Sequence, residues 1–108
     1  MRLLAIQELP QSGRVKLVFD DDSVLKTQPY LLADLGLYSG MELTEEDYQA
    51  LLAAAGKASA KARAVRIVAA AGVSEKELQK RLVQKGEEAA DAREAVGWLK
   101  ELHLLDDR

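Results

Sequence analysis

Val73-Ser-Glu-Lys-Glu-Leu-Gln-Lys-Arg-Leu-Val-Gln-Lys-Gly86 reads as one short helix with both ends written into it. Ser74 can cap the first turn, and Glu77, three residues on, can reach back to the Ser74 amide as a capping box. Val73 before the cap and Leu78 at the fourth helical position have the spacing of a hydrophobic staple. Gly86 supplies the positive-φ residue that favours a helix end. Between the caps, Leu78 and Leu82 stack at i, i+4, while Lys76 and Lys80, also four apart, point to the opposite side. An apolar stripe faces inward and a basic ridge faces water. A helix of this length is marginal alone, so it must pack on neighbours.

Those neighbours lie on either side in the chain. From Lys57 the composition turns to alanine and base. Ala60, Ala64, Ile67, Val68 and Ala71 share one face at helical spacing, with Arg66 pointing away and Lys61 and Arg63 flanking the stripe. Gly72 ends that helix. A third helix is expected from about Glu87 to Leu102, with Ala92, Ala95, Val96, Leu99 and Leu102 as its stripe and Trp98 at its edge. Residues 57–108 are thus expected to form a three-helix module.

Residues 1–56 read differently. Residues 3–9 form a short strand stopped by Pro10, which removes a ladder donor. In residues 14–20, Val15, Leu17 and Phe19 fall on one face at period two. Asp20-Asp21-Asp22-Ser23 makes a turn into a third strand, Val24 to Gln28, giving an antiparallel meander. Pro29 starts a short helix, Tyr30 to Leu35, closed by Gly36. Thr44 caps a helix whose first turn carries Glu45, Glu46 and Asp47, where the helix dipole favours carboxylates. Gly56 is read as either a break or a kink in that helix. The expected fold class is α+β: a small antiparallel β meander with short helices (1–56), followed by a three-helix bundle repeat (57–108).

Composition narrows the function. The chain has 108 residues, 48% hydrophobic and 31% charged, which suits one domain or two small modules of a soluble globular protein. With no cysteine, disulfides and thiolate metal sites are excluded. The N-terminal apolar run is too short for a signal peptide and no later run could span a membrane, so the expectation is a cytoplasmic chain. Charge is segregated: residues 57–86 hold 8 basic and 2 acidic side chains inside a chain of net charge −3. Such a block suits an anionic partner, either nucleic acid or an acidic protein face; the alternative is a solvated helical surface.

No residue set suggests catalysis. Asp20, Asp21 and Asp22 lack the glycine and distant glutamate of a calcium loop. His103 with Asp106 and Asp107 has i+3 and i+4 spacing but no second histidine to complete a metal site. Glu45, Glu46 and Asp47 are explained by helix-end electrostatics. There is no phosphate-cradling glycine loop and no nucleophile–base pair. No cofactor is expected and no enzyme activity. Trp98 is read as a packing residue rather than a base-stacking one.

The helical module resembles the repeat unit of the RecX family, bacterial regulatory proteins that restrain the RecA recombinase. The matching residues are Ala64 through Val68, Ser74-Glu75-x-Glu77-Leu78, Leu82, Lys85-Gly86, Val96, Leu99 and Leu104-Leu105-Asp106-Asp107. The first 56 residues look like the N-terminal region of many members, through the Arg14–Asp20 strand and Gly36-Leu37-x-x-Gly40-x-x-Leu43-Thr44. His103 departs from the pattern, standing where a glycine is common. Ala69-Ala70-Ala71-Gly72 replaces an often basic segment, and members generally continue with further three-helix repeats where this chain stops.

The resemblance implies a non-catalytic modulator that binds RecA filaments on single-stranded DNA and inhibits recombinase activity, within recombination and SOS regulation. Lys61, Arg63, Arg66, Lys76, Lys80, Arg81 and Lys85 are the candidate partner-binding residues, with direct DNA contact an open possibility. A monomer is expected, cut short after its first repeat and weakly inhibitory or inactive alone, because multivalent contacts would be missing. The competing reading is a helix-turn-helix-like DNA-binding module, since three short helices with a basic middle one can dock in a groove.

Overall fold

The structure, a computed structural model, describes residues 1–105. The fold class is α+β, with a three-stranded antiparallel sheet followed by helices. The chain divides into two compact units, Met1–Ala55 and Gly56–Arg108. No helix among the described residues is long and apolar enough to cross a membrane.

In the first unit, strands β1 (Leu3–Leu9), β2 (Arg14–Phe19) and β3 (Val24–Thr27) pair in sequence order. Leu17 sits between Ile6 and Leu25, and Val15 between Glu8 and Thr27. Alternation along β2 buries Val15, Leu17 and Phe19 on one face, as period two requires. The register shifts at Leu4, a bulge whose side chain turns to solvent. Residues 40–43 run along the start of β1: Leu3 N donates to Met41 O at 3.0 Å and Leu43 N to Met1 O at 2.7 Å. Arg2 closes this seam with two hydrogen bonds, 2.9 and 2.7 Å, to Glu42 Oε1.

Helix α1 (Tyr30–Asp34) follows β3, with Pro29 at helical φ just before it and Gly36 at φ 63° just after. Thr44 starts helix α2 (Glu45–Ala70) with a reciprocal pair. Asp47 N donates to Thr44 Oγ1 at 3.0 Å and Thr44 N to Asp47 Oδ2 at 3.1 Å. Leu3, Val15, Leu17, Phe19, Leu43 and Leu51 make the core of this unit, with Tyr48 edge-on to Phe19 at 5.5 Å. Thr27 is buried too, and its hydroxyl finds no partner among the described residues.

One expectation resolves here. Gly56 neither breaks nor ends the helix, because α2 continues as a single element of 26 residues. A methyl group at Gly56 would lie 2.7 Å from Asp91 Oδ2, so the glycine admits a carboxylate against the helix backbone.

The second unit packs the C-terminal part of α2 with α3 (Glu75–Gln84) and α4 (Ala89–Glu101). Ala60 and Ala64 meet Val73, Leu78, Leu82, Ala92, Ala95, Val96 and Leu99 in one buried cluster. Leu78, Leu82 and Leu99 are fully buried, each contributing about 2 kcal/mol of transfer free energy. The ends of α3 follow its sequence. Glu77 N donates to Ser74 Oγ at 3.1 Å, Gly86 N to Val83 O and Glu87 N to Leu82 O, with Gly86 at φ 100°. The returning half of the capping box is not made, because Glu77 Oε1 instead accepts from Arg81 Nε at 3.0 Å. Two stripe positions are also corrected. Ala71 and Leu102 are exposed, because α2 ends at Ala70 and α4 at Glu101, one residue before each.

Candidate functional site

The seven expected cations all lie in the second unit, on α2, α3 and the turn after α3, but they do not form one uniform ridge. Lys61 stands over the Trp98 ring, its Nζ 5.4 Å from the centroid, a cation–π contact worth about 0.5–1 kcal/mol at such a site. Trp98 itself is half-buried, packed against the helical core.

Arg63 is committed to its own molecule. Its Nη1 donates to Lys85 O at 2.8 Å, which satisfies an orphan carbonyl at the end of α3. Its Nε lies 3.4 Å from Glu87 Oε1, an ion pair without hydrogen-bond geometry. The Glu87 side chain is only 7% exposed, and its Oε1 also accepts from Ser59 Oγ at 2.7 Å. Removing Arg63 would leave a buried carboxylate uncompensated, so this arginine serves the fold first. The pair is 24 positions apart in the chain, and no local pattern announces it.

Arg81 is half committed. Its Nε binds Glu77 at i, i+4, an exposed pair worth a few tenths of a kcal/mol, and its terminal nitrogens stay uncommitted. Arg66, Lys76, Lys80 and Lys85 are exposed and make no ion pair with a described residue. The remaining ion pairs of this unit, Lys57–Glu94 and Lys100–Glu75, involve residues outside the candidate set.

Four of the seven converge. Arg63, Arg66, Arg81 and Lys85 rim an open groove of about 320 Å³ whose floor is Ile67, Ala70 and Ala71. Lys76 and Lys80 are exposed on α3 but do not line it. The sequence pointed to the cations but not to the floor. Ala70 and Ala71 read as the replaced basic segment, and their small side chains leave the groove open.

Near the start of α4, the Asp91 carboxyl is held above its ordinary pKa, a weaker acid than a free aspartate. Burial is the main cause; Glu94 and Glu87 add to it, and Lys57 opposes it. His103 is exposed just past α4, and its expected companions Asp106 and Asp107 lie outside the described residues.

Comparison of the sequence with protein-family models gives no match, and comparison with curated proteins gives none. Among solved structures the chain is similar to the regulatory protein RecX, with a TM-score of 0.74 at 20% sequence identity. The superposition covers 97% of this chain and 52% of that one, so the chain spans about half its length. At that identity the likeness concerns the backbone, and the fold of this chain is the one seen in RecX.

Proposed function

We propose that this chain is a RecX-type regulatory module which binds RecA filaments on single-stranded DNA and restrains the recombinase without a chemical step of its own. The observation that carries the reading is the likeness to RecX over 97% of the chain, which takes in both the sheet-bearing unit and the helical one. The free cations support it. Arg66, Lys76, Lys80 and Lys85 are exposed without partners among the described residues, so docking onto an acidic or phosphate-bearing surface breaks no ion pair of theirs. Such cations steer encounter and make binding steeply salt-dependent.

The test is a charge reversal of Arg66, Lys76 and Lys80 together. None of the three holds a described ion pair, so the circular dichroism spectrum and melting temperature should stay close to wild type. Binding to preformed filaments should weaken by about tenfold or more, as expected when several steering charges are reversed. Unchanged filament binding would remove these residues from the interface. Tight, salt-sensitive binding to bare duplex DNA without RecA would favour a helix-turn-helix-like module instead.

A further inference from the structure

We propose that the groove at the C-terminal ends of α2 and α3 seats an acidic protein segment: one large apolar side chain flanked by carboxylates. The proposal deepens the reading of this chain as a protein-binding module and rests on it for the kind of partner.

The groove combines two features. Its floor is Ile67, Ala70 and Ala71, with no polar side chain among them, and its rim is Arg63, Arg66, Arg81 and Lys85. A cavity of about 150 Å³ accepts a benzene-sized molecule. At about 320 Å³, the groove has room for one aromatic or branched side chain and part of the backbone that carries it.

The rim is cationic beyond what the fold uses. Arg63 is spent on Lys85 O and Glu87, and Arg81 offers only its terminal nitrogens because Glu77 holds its Nε. Arg66 and Lys85 have no acidic partner among the described residues. Helix-end electrostatics account for Arg81, in the last turn of α3, but not for Arg66, since no basic residue occupies the last turn of α2. Arg66 therefore has a planar, two-pronged donor free for a carboxylate.

The floor decides between protein and single-stranded nucleic acid. Strand binders stack bases on aromatic rings, and no aromatic residue lines this groove. Trp98, the aromatic nearest to the candidate cations in the chain's own contacts, is covered by Lys61. An apolar floor within a guanidinium rim instead suits a segment with a leucine or phenylalanine between aspartates or glutamates.

Fluorescence anisotropy with a labelled peptide of that design, titrated with the whole 108-residue chain, reads the groove without RecA present. Saturable binding is expected. It should weaken about tenfold in Arg66→Glu and be lost in Ala70→Trp, which fills the floor while leaving every charge in place. Both positions are exposed, and circular dichroism verifies that each variant folds. Replacing the peptide's apolar residue with serine should weaken binding to a similar degree. The proposal is overturned by no saturable binding up to about 1 mM, a level corresponding to only about 4 kcal/mol. Equal binding by wild type and both variants, or tighter binding of a poly-dT oligonucleotide than of the peptide, would also overturn it. Filament binding, measured separately on the same variants, reports on the RecA reading. Peptide binding lost with filament binding intact would leave the groove standing and place the RecA contact elsewhere.

Discussion

His103 takes φ 59° just past α4, with its own amide bonded to Lys100 O and the Leu104 amide to Leu99 O. That is the pattern of a helix closed by a left-handed residue, a position that suits glycine because it has no Cβ to clash. An L-residue there sacrifices about 1 kcal/mol. His103→Gly should raise unfolding stability by about that amount, read as a higher urea midpoint at unchanged m-value. An unchanged midpoint would mean that the imidazole makes good the loss. The glycine-like position of His103 came from the resemblance to the RecX repeat, where a glycine is common, and not from the residues around it. The burial of Asp91 was not legible in the sequence, because it comes from a helix far away in the chain. A carboxyl held above its ordinary value of 3.8 carries extra protons in the folded state. Its contribution to stability is greatest below that pH and is lost as pH rises through the raised value. Asp91→Asn should therefore stabilise the protein at pH 7 and flatten the fall in stability expected between acid and neutral pH. A decline as steep as in wild type would assign it to other groups.

At the scale of elements, α3 was the most legible part of the chain because its caps, staple and stripe are all local. Ser74, Gly86, Val73, Leu78 and Leu82 take the places their spacing dictates. Only the carboxylate of Glu77 goes elsewhere, drawn to Arg81 by charge. Helix α2 was harder to read. Leu51 and Ala55 follow one helical stripe, while Ala60, Ala64 and Ile67 follow another out of phase, so no single stripe runs its length and a glycine stands between them. The continuity of α2 through Gly56 goes with the approach of Asp91, which two local patterns cannot show. Replacing a mid-helix glycine with alanine ordinarily stabilises by about 1 kcal/mol. Gly56→Ala should gain much less, because its methyl would meet Asp91 Oδ2 at 2.7 Å. In an Asp91→Ala background the full gain should return. Equal effects in both backgrounds, in a double-mutant cycle, would show that the two positions are uncoupled.

For the molecule as a whole, two small cores carry the chain, one on the sheet and one among the helices, and the charge sits on the second. The basic block at residues 57–86 was plain from composition. Its division was not: Lys61 covers Trp98, Arg63 neutralises Glu87, and Arg66 and Lys85 stand free at a groove floored by alanines. Burial of Glu87 at the turn after α3 makes the difference, and only the packed helices create it. The central claim is that these free cations and the RecX-like fold serve binding to a RecA filament. The most direct measurement is the anisotropy of the labelled 108-residue chain titrated with RecA filaments on single-stranded DNA, beside the same DNA without RecA. Saturable binding to the filament that weakens steeply with added salt, with far weaker binding to the bare strand, is the expected result. Equal binding to filament and bare strand, or none to either, would contradict it.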